Sequence, residues 1–106
     1  MTFVMSIITD SASLAEFCHR LSNSDYVTVD TEFIREKTYW PQLCLVQLAN
    51  KKEAKVIDAM AENLDLNPLL DLMANESVLK VFHAARQDLE IFFKLIKKLP
   101  NPIFDT

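Results

Sequence analysis

The chain contains no glycine among its 106 residues. Glycine is the residue that enters left-handed backbone at no steric cost and lets a phosphate approach the main chain closely. Every reversal must therefore be made by Asn, Asp, Ser and Pro. Nucleotide sites built on glycine-rich loops, both the P-loop and the dinucleotide-binding turn, are excluded. What is left is a chain that turns on side-chain hydrogen bonds and must carry its chemistry on side chains.

The length fits one small domain with one core. Half the residues are apolar and 25% are charged, as in an ordinary globular protein. No apolar run is long enough to span a bilayer, and the N-terminus has neither a basic leader nor an adequate apolar stretch for a signal peptide. No membrane partner is expected. Cys18 and Cys44 match no metal-binding spacing, so free buried thiols in a reducing cytoplasm are expected. The net charge of −4 argues against holding nucleic acid by bulk electrostatics. It leaves open an enzyme that meets phosphates through bound cations.

The spacing predicts a short strand in Phe3–Thr9. A helix follows, opened by Asp10 or Ser11, with Leu14, Phe17, Cys18 and Leu21 on one face. Ser22 to Asp25 is a turn. Tyr26–Phe33, Leu43–Ala49 and Ala54–Ala59 read as three strands of an antiparallel meander, with a turn at Asn50 to Glu53. Asn67-Pro68 opens a short helix, Val78–Phe82 is a further strand, and Ala84–Lys98 a second long helix. Ile103 to Thr106 begins another strand. A meander followed by strand–helix–strand gives an α/β fold, a mixed sheet with flanking helices.

The strand Y-V-T-V-D-T-E-F carries two acids two residues apart. Strand side chains alternate, so Asp30 and Glu32 share one side while Val27, Val29, Thr31 and Phe33 take the other. Paired carboxylates repel unless a proton, a cationic side chain or a divalent metal lies between them. The plainer alternative is an acidic strand end in water. Asp88 lies about one turn into the expected last helix, whose preceding strand plausibly runs parallel beside the acid-bearing one. Sites in open α/β sheets form at the carboxyl ends of strands, so three carboxylates could converge there. An oxygen-only cluster suits Mg²⁺ or Mn²⁺.

The segment V-D-T-E-F-I-R-E-K-T-Y-W-P-Q-L-C-L-V-Q-L, Val29 to Leu48, resembles the first exonuclease motif of the ribonuclease D family. K-V-F-H-A-A-R-Q-D-L-E, Lys80 to Glu90, resembles its second motif, and L-P-N-P-I-F-D-T, Leu99 to Thr106, the lead into its next strand. The resemblance covers nearly the whole chain in order. It implies a DEDD-type 3′–5′ exonuclease with a ribonuclease H-like fold, trimming single-stranded RNA 3′ ends such as those of tRNA precursors to release 5′-monophosphates. Asp30, Glu32 and Asp88 would be the catalytic metal ligands of a two-metal site. Phe33 would lie near the terminal nucleotide. His83 would either orient the start of its helix, the plainer role, or contact a substrate phosphate.

The family's third motif, a Y-x-x-x-D lying beyond the second, does not occur in these residues, nor do its C-terminal helical RNA-binding domains; Tyr26 and Asp30 have that spacing but sit in the first motif's strand. The sequence thus reads as the N-terminal part of the exonuclease domain, weakly active or inactive alone. Two rivals are a non-catalytic nucleic-acid-binding or assembly remnant of the fold and a DNA proofreading-type exonuclease. An exposed sheet edge at Ile103 to Thr106 would offer a route to self-association.

Overall fold

The computed structural model describes residues 6–34, 42–82, 92–94 and 101–105. Within them lie β1 (Ser6–Ile8), α1 (Ser11–Leu21), β2 (Tyr26–Ile34), β3 (Gln42–Ala49), β4 (Ala54–Asp58), α2 (Asn67–Ala74), β5 (Leu79–Phe82) and β6 (Ile103–Asp105). Of the long helix expected from Ala84 to Lys98, Phe92 to Lys94 are described and helical.

The strands form one six-stranded sheet in the order β1-β4-β3-β2-β5-β6. The expected meander is present, β2, β3 and β4 pairing antiparallel. β5 lies parallel beside β2, as expected, and β6 parallel beside β5. The sequence did not disclose that β1 pairs parallel with β4 on the far side.

Turns are made as a glycine-free chain requires. The Asn50 side-chain oxygen accepts from the backbone N–H groups of Lys52 and Glu53, both at 2.9 Å, closing the β3–β4 hairpin. Asp58, Asp65 and Asn75 each accept in the same way from the N–H two residues on. These are side-chain mimics of a backbone turn. Asn63 enters left-handed backbone at φ 61°, a place asparagine tolerates better than most residues. Asp10 caps α1 by accepting from Ser13 N at 2.9 Å.

The core lies on one face of the sheet. Val27, Val29, Val46, Leu48, Ile57, Ile8 and Phe82 share that face by register and bury against Leu14, Phe17 and Leu21 of α1 and Leu69, Leu72 and Met73 of α2. Phe92 joins them, its ring meeting Phe82 edge-on at 6.3 Å. The Phe17 ring is fully buried, with the Arg20 guanidinium 5.8 Å and the Lys55 ammonium 5.9 Å from its centroid. Arg20 also forms a two-pronged ion pair with Glu53, at 3.0 and 3.1 Å, tying the end of α1 to the hairpin.

Cys18 is buried, as expected, whereas Cys44 is half-buried because it sits at a strand irregularity described below. Burial, aided by the Asp71 charge, pushes the Cys18 thiol up to about 12. Once unfolded, the same thiol would ionise near its ordinary value of about 8.5. Unfolding then releases a proton wherever the pH lies between those values. Stability should therefore hold below pH 8.5 and fall as pH rises toward 12. Urea midpoints at pH 8 and 10 for the parent and Cys18→Ala should diverge, the parent losing more on the alkaline side.

Candidate active site

Asp30 and Glu32 are exposed, and both project to the face opposite the core. Alternation along β2 places them about 7 Å apart along the strand. Their neighbours follow from register: Gln47 stands opposite Asp30 and Leu45 opposite Glu32. No hydrogen bond or ion pair to either carboxylate occurs among the described residues.

On its other side β2 pairs with β5, the last pair among the described residues being Val29 opposite Phe82. Asp30 is the next residue. The acid pair therefore lies just past the carboxyl end of a parallel neighbour, the place where open α/β sheets build sites.

A bulge shapes this end of the sheet. Glu32 pairs with Leu45 but Phe33 with Leu43, so Cys44 is an extra residue in β3. Its carbonyl is satisfied by Ala59 N at 2.9 Å. The irregularity lets Leu43 turn inward and Phe33 lean on the core while Glu32 stays outward. Phe33 is thus half-buried next to the acid pair in β2, packed against the core. His83 and Asp88 fall outside the described residues.

Two carboxylates offer the hard oxygen donors that Mg²⁺ and Mn²⁺ take. No group of three or more His, Cys, Asp or Glu side chains that could hold a metal occurs among the described residues. A cleft of about 410 Å³ opens at the other end of β2, lined by residues that include Tyr26, Asn50, Lys51 and Lys52. It is remote from the acids.

The sheet face that carries the acids is only partly covered. In register across it, Ile7, Val56, Gln47 and Asp30 make one row, and Ala49, Thr28, Val81 and Phe104 another. Ile7 is 64% exposed and Phe104 56%. Sequence reasoning passed over Lys80, which is fully buried on the core side, in register with Val27. The signal was available in V-L-K-V-F: alternation puts Lys80 on the same side as Val78 and Phe82.

A mixed sheet that presents paired acids at the end of its central parallel strands is the architecture of a 3′–5′ exonuclease domain. The profile of the 3′–5′ exonuclease family matches residues 5–106, and the chain belongs to that family. Within it, the chain is similar to ribonuclease D of Sphingobium indicum, 61% identical over 101 residues, and of Nitrobacter hamburgensis, 60% identical over 102. These matches cover 94% and 96% of this chain but only 26% and 27% of the relatives. Among solved structures, Escherichia coli RNase D, an exoribonuclease involved in structured RNA processing, superposes with a TM-score of 0.87 at 34% identity. That match spans 97% of this chain and 27% of the other. RNase D of Trypanosoma brucei in complex with RNA U12 shares the fold at a TM-score of 0.80 and 16% identity, over 95% of this chain and 37% of the other. The ribonuclease H-like mixed sheet with flanking helices is confirmed by these likenesses. No helix of the described residues is long and apolar enough to cross a membrane.

Proposed function

We propose that the chain is the N-terminal part of a metal-dependent exoribonuclease domain that trims single-stranded RNA from its 3′ end. Asp30, Glu32 and Asp88 are its cation ligands. The observation that carries this reading is the acid pair. It stands outward and without a described partner, just beyond the carboxyl end of β5, in a chain of the 3′–5′ exonuclease family. Names of the relatives and the RNA complex of a structural neighbour support RNA as the substrate class.

Divalent cations held there would supply water activation and neutralise the leaving oxygen. The chain's own residues do the rest. β2, held on one side by β3 and up to Val29 by β5, fixes both carboxylates without help from a mobile loop. Phe33 offers an aromatic face for the terminal base. His83 either orients the chain beyond β5 or meets a phosphate. With a net charge of −4, the protein has little general attraction for RNA. Substrate phosphates must then be met locally, through the bound cations.

No Y-x-x-x-D follows the second motif in these residues. Within this proposal they bind the cation but trim RNA weakly or not at all by themselves. Work in the cytoplasm agrees with two free cysteines. β6 is an edge strand with Ile103 and Phe104 exposed, where a second copy would pair.

Calorimetric titration with Mn²⁺ tests the reading. A saturable heat is expected from this chain, lost in Glu32→Ala. Absence of heat from the parent, or identical heat from the variant, would remove the metal site. Sedimentation of the same samples at two concentrations tests the β6 edge, an unchanged mass counting against it.

A further inference from the structure

The cleft of about 410 Å³ at the start of β2 lies between the turn that follows α1 and the β3–β4 hairpin. Two side-chain links hold these walls together. Arg20 grips Glu53 through two nitrogens, at 3.0 and 3.1 Å, and the Asn50 amide donates to the Ser24 hydroxyl at 2.9 Å. The opening is therefore fixed by bonds of the folded chain, which lowers the cost of filling it.

Its charge runs against that of the chain. Lys51 and Lys52 line it from the hairpin tip, both exposed, and neither ammonium has an ion pair or hydrogen bond among the described residues. The turn uses the backbone N–H of Lys52, bonded to Asn50, and needs neither ammonium. Of the acids in the lining, Glu53 is neutralised by Arg20 and Asp25 remains. Two free cations against one acid leave a local positive excess in a chain of net charge −4. Half-buried Tyr26 also lines the cleft. Alternation puts Tyr26 on the same side of β2 as Asp30, four residues on and about 13 Å away. A stacked single strand covers that distance in about four nucleotides, at roughly 3.4 Å each.

We propose that this cleft is a second contact for the RNA strand whose 3′ end lies at the acids. Lys51 and Lys52 meet backbone phosphates there, and Tyr26 meets a base, about four nucleotides upstream of the end. This rests on the proposed trimming of RNA 3′ ends. The contact supplies affinity and no chemistry. A substrate too short to reach it gains nothing from it.

The test uses the complete gene product with Mn²⁺, on a 5′-labelled RNA trinucleotide and a 5′-labelled RNA dodecamer. The double variant Lys51→Gln, Lys52→Gln removes both charges and keeps the backbone bonds of the turn; Lys51→Arg, Lys52→Arg keeps the charges. Both should match the parent's urea midpoint, since the side chains are exposed. The expected result for the glutamine protein is a KM for the dodecamer about fivefold higher, with kcat within about twofold and the KM for the trinucleotide unchanged. Its KM should also depend less steeply on salt, by about one unit of log–log slope for each phosphate contact removed. The arginine protein should keep the parent's values. Fluorescence anisotropy of the dodecamer in EDTA reads the cleft with the metal site out of play, and the same fivefold weakening is expected in Kd. A glutamine protein with the parent's KM and EDTA affinity would overturn the inference while leaving the trimming intact. So would a KM that rises equally for both lengths, which would place the lysines' effect at the 3′ end. If the parent trims neither RNA but the difference in EDTA persists, the trimming reading fails and the cleft remains an RNA site. If the parent neither trims nor binds the dodecamer, both fall.

Discussion

Replacing Asp30 with asparagine is expected to lower RNA trimming by the complete gene product about a thousandfold. The side chain keeps its size and one acceptor oxygen but loses the charge that would hold a divalent cation in the proposed site. Transition-state stabilisation by such an ion is worth several kcal/mol, and each factor of ten in rate corresponds to about 1.4 kcal/mol. The fold should not suffer. Asp30 is exposed, its carboxylate makes no described hydrogen bond, and it faces away from the core. Without metal, the variant should match or slightly exceed the parent's stability, because a like charge beside Glu32 is gone. That opposition of sign is the informative part. A structural acid would lose stability and leave the rate alone; a metal ligand loses rate and leaves stability alone. Single-turnover trimming of a 5′-labelled RNA with Mn²⁺, alongside urea unfolding, reads both. Gln47→Ala, which alters the exposed residue opposite Asp30, should change neither by much. Unchanged trimming by Asp30→Asn would end the metal-ligand assignment.

Phe17→Ala should produce the largest loss of stability, about 3–5 kcal/mol. The ring is fully enclosed at the centre of the α1 face, in one cluster with Leu14, Leu21 and the apolar residues of β2, β3, β4 and α2. Removing it leaves a cavity and deprives Arg20 and Lys55 of the aromatic face they flank. Total stability of a domain this size is about 5–15 kcal/mol, so the variant should sit near its unfolding threshold at room temperature. Phe17→Leu, which refills most of the volume, should cost markedly less. Urea denaturation followed by circular dichroism separates them. A cost below about 1 kcal/mol for the alanine variant would mean that α1 is not seated on the sheet through this ring.

Local rules carried much of the fold. Leu14, Phe17, Cys18 and Leu21 fall at helical spacing, and all four are buried on α1. Asp10 had the right chemistry for a cap and is the cap. Asn50 to Glu53 reverses the chain through one side-chain amide, a role that falls to Asn or Asp when glycine is lacking. The outward pairing of Asp30 and Glu32 came directly from two-residue alternation. Cys44 and Leu43 show where that rule stops: a one-residue bulge changes which way side chains turn, and nothing in L-C-L marks it.

The sequence alone determined the period of each element, its capping chemistry, and the side on which the two acids stand, because these depend on residues only a few positions apart. Its motif words also pointed to the exonuclease family. Only the tertiary structure decided that β1 joins β4 and that Val29, next to Asp30, stands opposite Phe82. The same is true of the core lying on one sheet face, and of Lys80 reaching both Asn75 and Asn101. Those outcomes depend on register and on contacts between distant segments. A lysine between two apolar residues looks the same in the sequence whether its ammonium meets water or two carbonyls. Alternation gives the side that Lys80 takes, but which carbonyls its ammonium meets is settled by contacts with distant segments.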